Sequence, residues 1–591
     1  MSKSDEIGKA FDYRLFKRVF AHTKPYRVIF WVVAITAILS AAFAVGIPIL
    51  VKDIINDALS SKSSQGLFSA IMLMLGLLVG QVVMQLGFNY YANLLGESVI
   101  RDIRIRLFKK MMSFKMTYFD NSSIGVLVTR AVADMQRIGE IFSQGFFMIV
   151  ADVLKMISAA IIMTVMNWKL ALIVFAILPV ILIATRLFQQ AMKVAFVEVR
   201  AQVSNLNSFV QERIAGMKIV QLFNREEIEK EKFRVINEKH QNAWLKTVWY
   251  NSIFFPIAEI SNSIGIGLVV YFGVIQNIQN IGFDNNKGTI VAFFFLMDLL
   301  FRPLRQIADK FNTLQMGMVA ANRVFKILDT DSHIADEGSV VKADVKGDIE
   351  FTDVRFGYVK DEEVLHGISF KVDAGETVAI VGATGAGKST IINLLNRFYE
   401  INSGEIRIDG VNIHDYTLQS LRSHIAIVLQ DVFLFADTIA NNISLRDKNI
   451  SVAEIEAAAK QIGVHEFISS LPGGYEYNVK ERGTMLSSGQ RQLIAFLRAY
   501  VSNPSILILD EATSSVDTYS EQLIQQATDK ITEGRTSIII AHRLATIKKA
   551  SKIIVMDEGQ IVEIGTHKEL LKKGGYYNDL YTAQFLQEEV A

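Results

Sequence analysis

Cysteine is absent from all 591 residues of this chain. That excludes disulfides, thiolate metal sites and a cysteine nucleophile, and it leaves the compartment open. Charge is scarce too: Asp, Glu, Lys and Arg make up 20% of the residues, against roughly 25% in ordinary soluble domains. The charges nearly cancel, to a net +1, so their balance gives no reason to expect nucleic acid. Low-complexity runs and short-period repeats are also missing. What is abundant is apolar: 51% of residues are hydrophobic and the mean hydropathy is +0.29. These values point to a membrane protein of about two to four domains.

The composition changes along the chain. Long apolar stretches are confined to 1–330, which reads as a transmembrane domain. A polar linker follows at 331–345. From 346 to 591, short apolar runs alternate with glycine and charge, as in a soluble α/β domain.

A helix needs about 20 apolar residues to cross a hydrocarbon core of about 30 Å. Six stretches meet or approach that length: 28–51, 67–95, 146–166, 170–188, 248–275 and 289–304. The third and fourth are parted only by Asn167-Trp168-Lys169. The first is too long for the apolar region of a cleaved leader. About 25 residues precede it, which speaks against a fused N-terminal peptidase. Lys and Arg near the span ends set the orientation. The N-terminal segment carries Lys9, Arg14, Lys17, Arg18, Lys24 and Arg27, and the segment after the second span carries Arg101, Arg104, Arg106, Lys109, Lys110 and Lys115. The opposite side has only Lys52, Lys62 and Lys287. A multi-pass protein of the cell membrane is expected. Its N-terminus, the helical connections 96–143 and 187–247, and the C-terminal domain should be cytoplasmic.

A carboxylate inside a span is costly. Asp298 either faces a substrate or cation path, or marks an early end to the sixth span with Arg302 or Arg305 as its partner. Aromatics such as Phe293, Phe294, Phe295, Trp249, Tyr250, Phe254 and Phe255 are candidates for lining an apolar cavity, although such residues more often face lipid or other helices.

The C-terminal part carries the chemistry. Residues 376–381 read as a buried strand that runs into Gly382-Ala383-Thr384-Gly385-Ala386-Gly387-Lys388-Ser389-Thr390 and then a helix. This is the phosphate-binding loop in its required strand–loop–helix setting. Glycines let backbone N–H groups approach phosphates, and the helix N-terminus adds positive potential. Lys388 is placed to reach the β- and γ-phosphates of ATP, and Ser389 to ligate Mg²⁺. A second apolar strand, 506–509, ends in Asp510-Glu511. Asp510 suits a Mg²⁺-holding carboxylate, and Glu511 a base that orients and deprotonates water. Between them, Leu486-Ser487-Ser488-Gly489-Gln490 precedes a helix, with Ser487 and Ser488 as good N-cap residues. A second phosphate-facing helix end makes sense if it serves ATP held by another subunit.

That order of motifs resembles the ATP-binding cassette (ABC) family, and the chain as a whole resembles ABC exporter half-transporters from about residue 14 to 580. The resemblance implies an α-helical membrane domain, six long transmembrane helices with cytoplasmic extensions, followed by an α/β P-loop ATPase domain of ABC type. It assigns further roles. Tyr358 looks like the aromatic that stacks on adenine. Gln430 looks like the residue that touches Mg²⁺ or water and senses the membrane domain. Glu481-Arg482-Gly483 is similar to a motif that contacts the cytoplasmic loops. Ser514-Ser515-Val516-Asp517 looks like the loop joining two sites across a dimer, and His542 like the switch histidine on the γ-phosphate. The first cytoplasmic loop is matched loosely by Phe119-Asp120, Gly125, Arg130 and Asp134. The second is matched by Glu212-Arg213, Gly216, Lys218, Phe223 and Glu226. The main departure is Ser488, where many members have glycine; Val516 in place of leucine is a smaller one.

The resemblance implies ATP-driven export of hydrophobic or amphipathic compounds by alternating access, with two cassettes sandwiching two ATP molecules. A lipid flippase, an importer on the exporter architecture, and an ATP-gated channel are the alternatives. This chain's own ATP-handling residues, Lys388, Asp510, Glu511 and His542, are complete, while its donated signature varies at Ser488. That asymmetry suits a second, different half-transporter as partner. A homodimer with a tolerated serine is the other reading.

Overall fold

The computed structural model describes residues 12–58, 64–279, 287–510, 518–541 and 543–584. Glu511, the 514–517 loop with Asp517, and His542 lie outside the described residues. The chain divides into two compact units. The first holds Met1–Met112 and Ser123–Asp331; the second holds Ser332–Ala591 together with Ser113–Ser122.

In the first unit the apolar runs are carried by long helices: α1 (Arg27–Asp53), α2 (Ser64–Met112), α3 (Phe147–Met166), α4 (Trp168–Ala215), α5 (Glu226–Gln279) and α6 (Lys287–Asp329). α2, α4 and α6 continue well past the apolar stretch near their start, and α5 leads into its apolar stretch from a charged segment. The turn between α3 and α4 is tight because Asn167 caps α4, its Oδ1 accepting from Lys169 N at 3.1 Å and Leu170 N at 3.2 Å. Among the described residues, five helices are long and apolar enough to cross a membrane. The sixth expected stretch lies in α6, which falls short on charge. Any 18-residue window over its apolar part includes Asp298, Arg302 and either Lys287 or Arg305. α6 nevertheless packs in the bundle core: Phe293, Leu296, Met297 and Leu300 are buried with Val45 of α1, Met163 of α3 and Val174 of α4. Asp298 itself is exposed, and no described ion pair joins it to Arg302. Of the aromatics named above, Phe254 is buried and stacks on Phe188 at 4.1 Å, whereas Trp249 and Phe255 are exposed. In the first connection Arg130 pairs with buried Asp134 at 2.6 Å, and in the second Arg213 pairs with Glu229.

Among its described residues the second unit has ten strands: β1 (Ile349–Phe356), β2 (Leu365–Val372), β3 (Thr377–Gly382), β4 (Ser403–Ile408), β5 (Val411–Asn412), β6 (Ile425–Val428), β7 (Ile506–Asp510), β8 (Thr536–Ile540), β9 (Lys552–Asp557) and β10 (Gln560–Gly565). Four form a sheet ordered β2-β1-β4-β5, and six form a sheet ordered β10-β9-β3-β8-β7-β6. In the larger sheet β9, β3, β8, β7 and β6 are parallel. Both its faces are covered, which is why residues 378–381 of β3, 506–509 of β7 and 538–540 of β8 read as apolar runs. Ala379, Val381 and Leu507 pack into one core, and Val378, Ile380 and Ile508 into another.

Candidate functional site

Parallel pairing assembles the site at one edge of the six-stranded sheet. β3 and β7 flank β8, and Ile380 and Asp510 are both in register with Ile540. The chain leaves β3 at Gly382, two residues beyond that row, and enters the glycine loop before α7 (Lys388–Leu395). The loop and Asp510 therefore emerge side by side at the carboxyl ends of the strands, where open α/β sheets bind ligands.

Two glycines make the loop possible. Gly382 sits so close to β9 that a Cβ would lie 2.2 Å from the Met556 carbonyl oxygen. Gly387 caps α7 in the left-handed region at φ +93°, with Leu365 Cδ2 only 2.8 Å from a Cβ position. Lys388, first residue of α7, is buried. Its Nζ donates to the carbonyl oxygens of Gly382 and Ala383, each at 2.8 Å. These donors face the loop interior, where a nucleotide phosphate would compete for them. Burial lowers the Lys388 pKa, and the charge of Asp510 opposes that shift. Burial likewise raises the Asp510 pKa, with Lys388 opposing and Asp431 reinforcing. A buried lysine and a half-buried carboxylate thus feel one another at the loop. Thr384, Gly385 and Ser389 are exposed, while Ala386 and Thr390 are buried. Hydroxyl, carboxylate and amide oxygens from Ser389, Asp510 and the exposed Gln430 are the hard donors a Mg²⁺ ion takes.

Tyr358 stands beside this loop. Its hydroxyl donates to Thr390 Oγ1 at 3.3 Å and accepts from Asn393 Nδ2 at 3.2 Å. Its ring meets Phe356 and Tyr399 edge-on, with centroids at 4.9 and 5.0 Å, and it remains 40% exposed.

The Leu486–Gln490 stretch opens α8 (Ser488–Val501). Ser487 is the N-cap and forms a reciprocal capping box: its Oγ accepts from Gln490 N at 3.2 Å, and Gln490 Oε1 accepts from Ser487 N at 3.0 Å. Arg491 fixes the preceding turn by donating to the Leu486 carbonyl at 2.9 Å. Ser488 is partly buried in the first helical turn and Gly489 is buried. Just upstream, Lys480 and Arg482 adopt left-handed φ of +59° and +54°, a strained backbone for non-glycine residues.

The structure therefore brings Lys388 and Asp510 within electrostatic reach and ties Tyr358 to α7. The hydrogen bonds described for Ser487 and Gln490 stay within their own turn. Residues that sequence reasoning passed over are Asn393, Asp431 and Tyr399. The last had a visible signal, since Phe398-Tyr399 follows the loop helix directly.

The chain matches two protein-family models. One, described as the ABC transporter transmembrane region, covers residues 30–304, and one described as ABC transporter covers 365–514. It is 36% identical over 586 residues to an uncharacterized ABC transporter ATP-binding protein of Bacillus subtilis, covering 98% of this chain and 96% of that one. It is 37% identical over 577 residues to an ATP-dependent lipid A-core flippase of Yersinia pestis, covering 97% and 98%. A third relative, provisionally named a multidrug export ATP-binding/permease protein of Bacillus subtilis, is 35% identical over 584 residues, covering 97% and 100%.

Proposed function

The chain belongs to the ABC transporters, as an exporter-type half-transporter, and from that premise we propose how its residues carry out ATP-driven export. It is a multi-pass membrane protein that hydrolyses ATP to drive transport, and it acts as a dimer. The substrate is a hydrophobic or amphipathic compound of the multidrug type; a lipid is the second reading, favoured by the flippase relative. The protein resides in the cell membrane. Its N-terminus and nucleotide-binding domain, 346–591, face the cytoplasm, six spans lie within 1–330, and 331–345 is the linker.

The observation that carries the site reading is the shared sheet edge, where parallel register sets Lys388 and Asp510 at the glycine loop. ATP lies in that loop. Gly382, Thr384, Gly385, Ala386, Gly387, Lys388, Ser389 and Thr390 hold its phosphates, and Tyr358 stacks on the base. Ser389, Gln430 and Asp510 would hold Mg²⁺, which neutralises phosphate charge when bound. Glu511 orients and deprotonates the attacking water, and His542 reaches the γ-phosphate. Ser487, Ser488, Gly489 and Gln490 complete the site of the other subunit, with Asp517 at the junction. Closure of the two cassettes on ATP turns the membrane cavity outward, and hydrolysis resets it.

The test is Glu511→Gln in the assembled transporter. General bases contribute roughly 10²- to 10⁴-fold, so kcat should fall by about that factor while ATP binding persists. Near-normal turnover would remove Glu511 from the base role.

A further inference from the structure

The aromatic beside the glycine loop is tethered to a distant part of the sequence. Ser113–Ser122 leaves the helical unit and packs within the second unit. It is anchored by its backbone: Lys115 N donates to the Ser332 carbonyl at 2.8 Å, and Phe114 bridges His333. At its end Asp120 Oδ2 accepts a 2.7 Å hydrogen bond from the Tyr399 hydroxyl. The Tyr399 ring in turn stands perpendicular to Tyr358, at 88° and 5.0 Å. Tyr358 completes the chain through its bonds to Thr390 and Asn393 on α7. A cavity of about 790 Å³ opens beside these rings; Lys115, Thr117, Tyr358 and Tyr399 all line it. The docked segment and the base-side aromatics therefore share one wall.

We propose that Tyr399, tethered by Asp120, is a positioning residue for Tyr358, so that docking of Ser113–Ser122 tunes how tightly the adenine base is held. The inference rests on the reading that Tyr358 stacks on the base. An unsupported Tyr358 can rotate about its side-chain torsions. The edge of Tyr399 removes that freedom on one side, and Tyr399 is itself fixed only if its hydroxyl has a partner. Burial, followed by the bond to Asp120, keeps the Tyr399 hydroxyl protonated far above the usual tyrosine range. The Tyr399 hydroxyl therefore remains a donor at neutral pH. Both ends of Ser113–Ser122 continue covalently into the helical unit. A pull on this segment would then register first as weaker base binding, with the phosphate contacts intact.

The test uses the full-length transporter in detergent or nanodiscs, with ATPase kinetics and competition by inorganic triphosphate, which has no base. Tyr399→Phe keeps the ring and loses the tether's donor; Asp120→Ala removes its acceptor. A lost hydrogen bond of this kind is worth a few-fold in affinity. Each variant should raise KM for ATP by roughly 3- to 10-fold, leave kcat nearly unchanged, and leave the triphosphate inhibition constant unchanged. The double variant should be no worse than either single one, because both remove the same bond. Tyr358→Ala is the control for the premise, and should raise KM for ATP at least as much. If Tyr358→Ala raises KM and neither tether variant does, the positioning role is overturned. It is also overturned if triphosphate binding weakens in parallel, since that marks general damage to the loop. If Tyr358→Ala leaves KM unchanged, the base-stacking reading fails first and takes the proposal with it.

Discussion

In the role proposed for it, Asp510 would serve function at the expense of stability. Burial raises its pKa, so the folded chain holds that proton more tightly than the unfolded chain does. The resulting stability is present below the ordinary carboxylate range and is lost as pH rises through the raised value. At neutral pH ionised Asp510 therefore costs stability. Lys388 has the complementary problem, because burial lowers its pKa and a charged lysine is disfavoured in the nucleotide-free loop. If Lys388 holds phosphate and Asp510 a cation, as proposed, binding of the two offsets both costs. Asp510→Asn should then raise the thermal unfolding temperature of the nucleotide-free protein at pH 7.5, with the gain shrinking as pH falls toward the carboxylate range. The same variant should lose ATPase activity and the stabilisation that Mg²⁺ with ATP gives the parent. A lower unfolding temperature for the variant at pH 7.5 would contradict this account.

At the level of elements, α8 ties two roles to one hydroxyl. Ser487 caps the helix, and its Oγ is also an expected contact to nucleotide on the other subunit. Capping and contact separate by substitution. Alanine at an N-cap costs about 1 kcal/mol, glycine only a few tenths. Ser487→Ala and Ser487→Gly should differ in thermal stability by about that margin. If the hydroxyl contacts nucleotide, their ATPase activities should fall equally; activity that tracks stability would leave capping as the sole role. This cap was legible in sequence because Ser487 immediately precedes the helix it caps, although its reciprocal partner Gln490 was not. The glycine loop was legible for the same reason: strand, loop and helix are consecutive. What the sequence withheld is long-range. Nothing local places β8 between β3 and β7, so the meeting of Lys388 with Asp510 rested on motif order alone. The bond from Asp120 to Tyr399 joins parts of the chain with no shared pattern. In α6, Asp298, Arg302 and Arg305 blur the apolar signal, although burial of Phe293 and Met297 puts the helix in the bundle core.

For the whole molecule, the proposed reading has one chain supply half of each catalytic site. In that reading Lys388 and Asp510 act on ATP held by this chain, whereas Ser487 to Gln490 act on ATP held by a partner. If the partner is a second copy, Ser488 enters both sites, and Ser488→Gly must change both alike. If the partner is a different half-transporter, Ser488 enters only the partner's site, and this chain's own site receives whatever signature the partner carries. The two cases separate by combining substitutions. In a heterodimer, Glu511→Gln here disables only the site that Ser488 does not touch, so the ATPase activity that remains should still respond to Ser488→Gly. In a homodimer Glu511→Gln disables both sites, and adding Ser488→Gly has no turnover left to alter. We expect the heterodimer result: the purified chain alone should show little ATPase activity, and it should gain activity with a co-expressed second half-transporter. Full activity from the chain by itself, abolished by Glu511→Gln, would instead establish a homodimer in which serine at position 488 is tolerated.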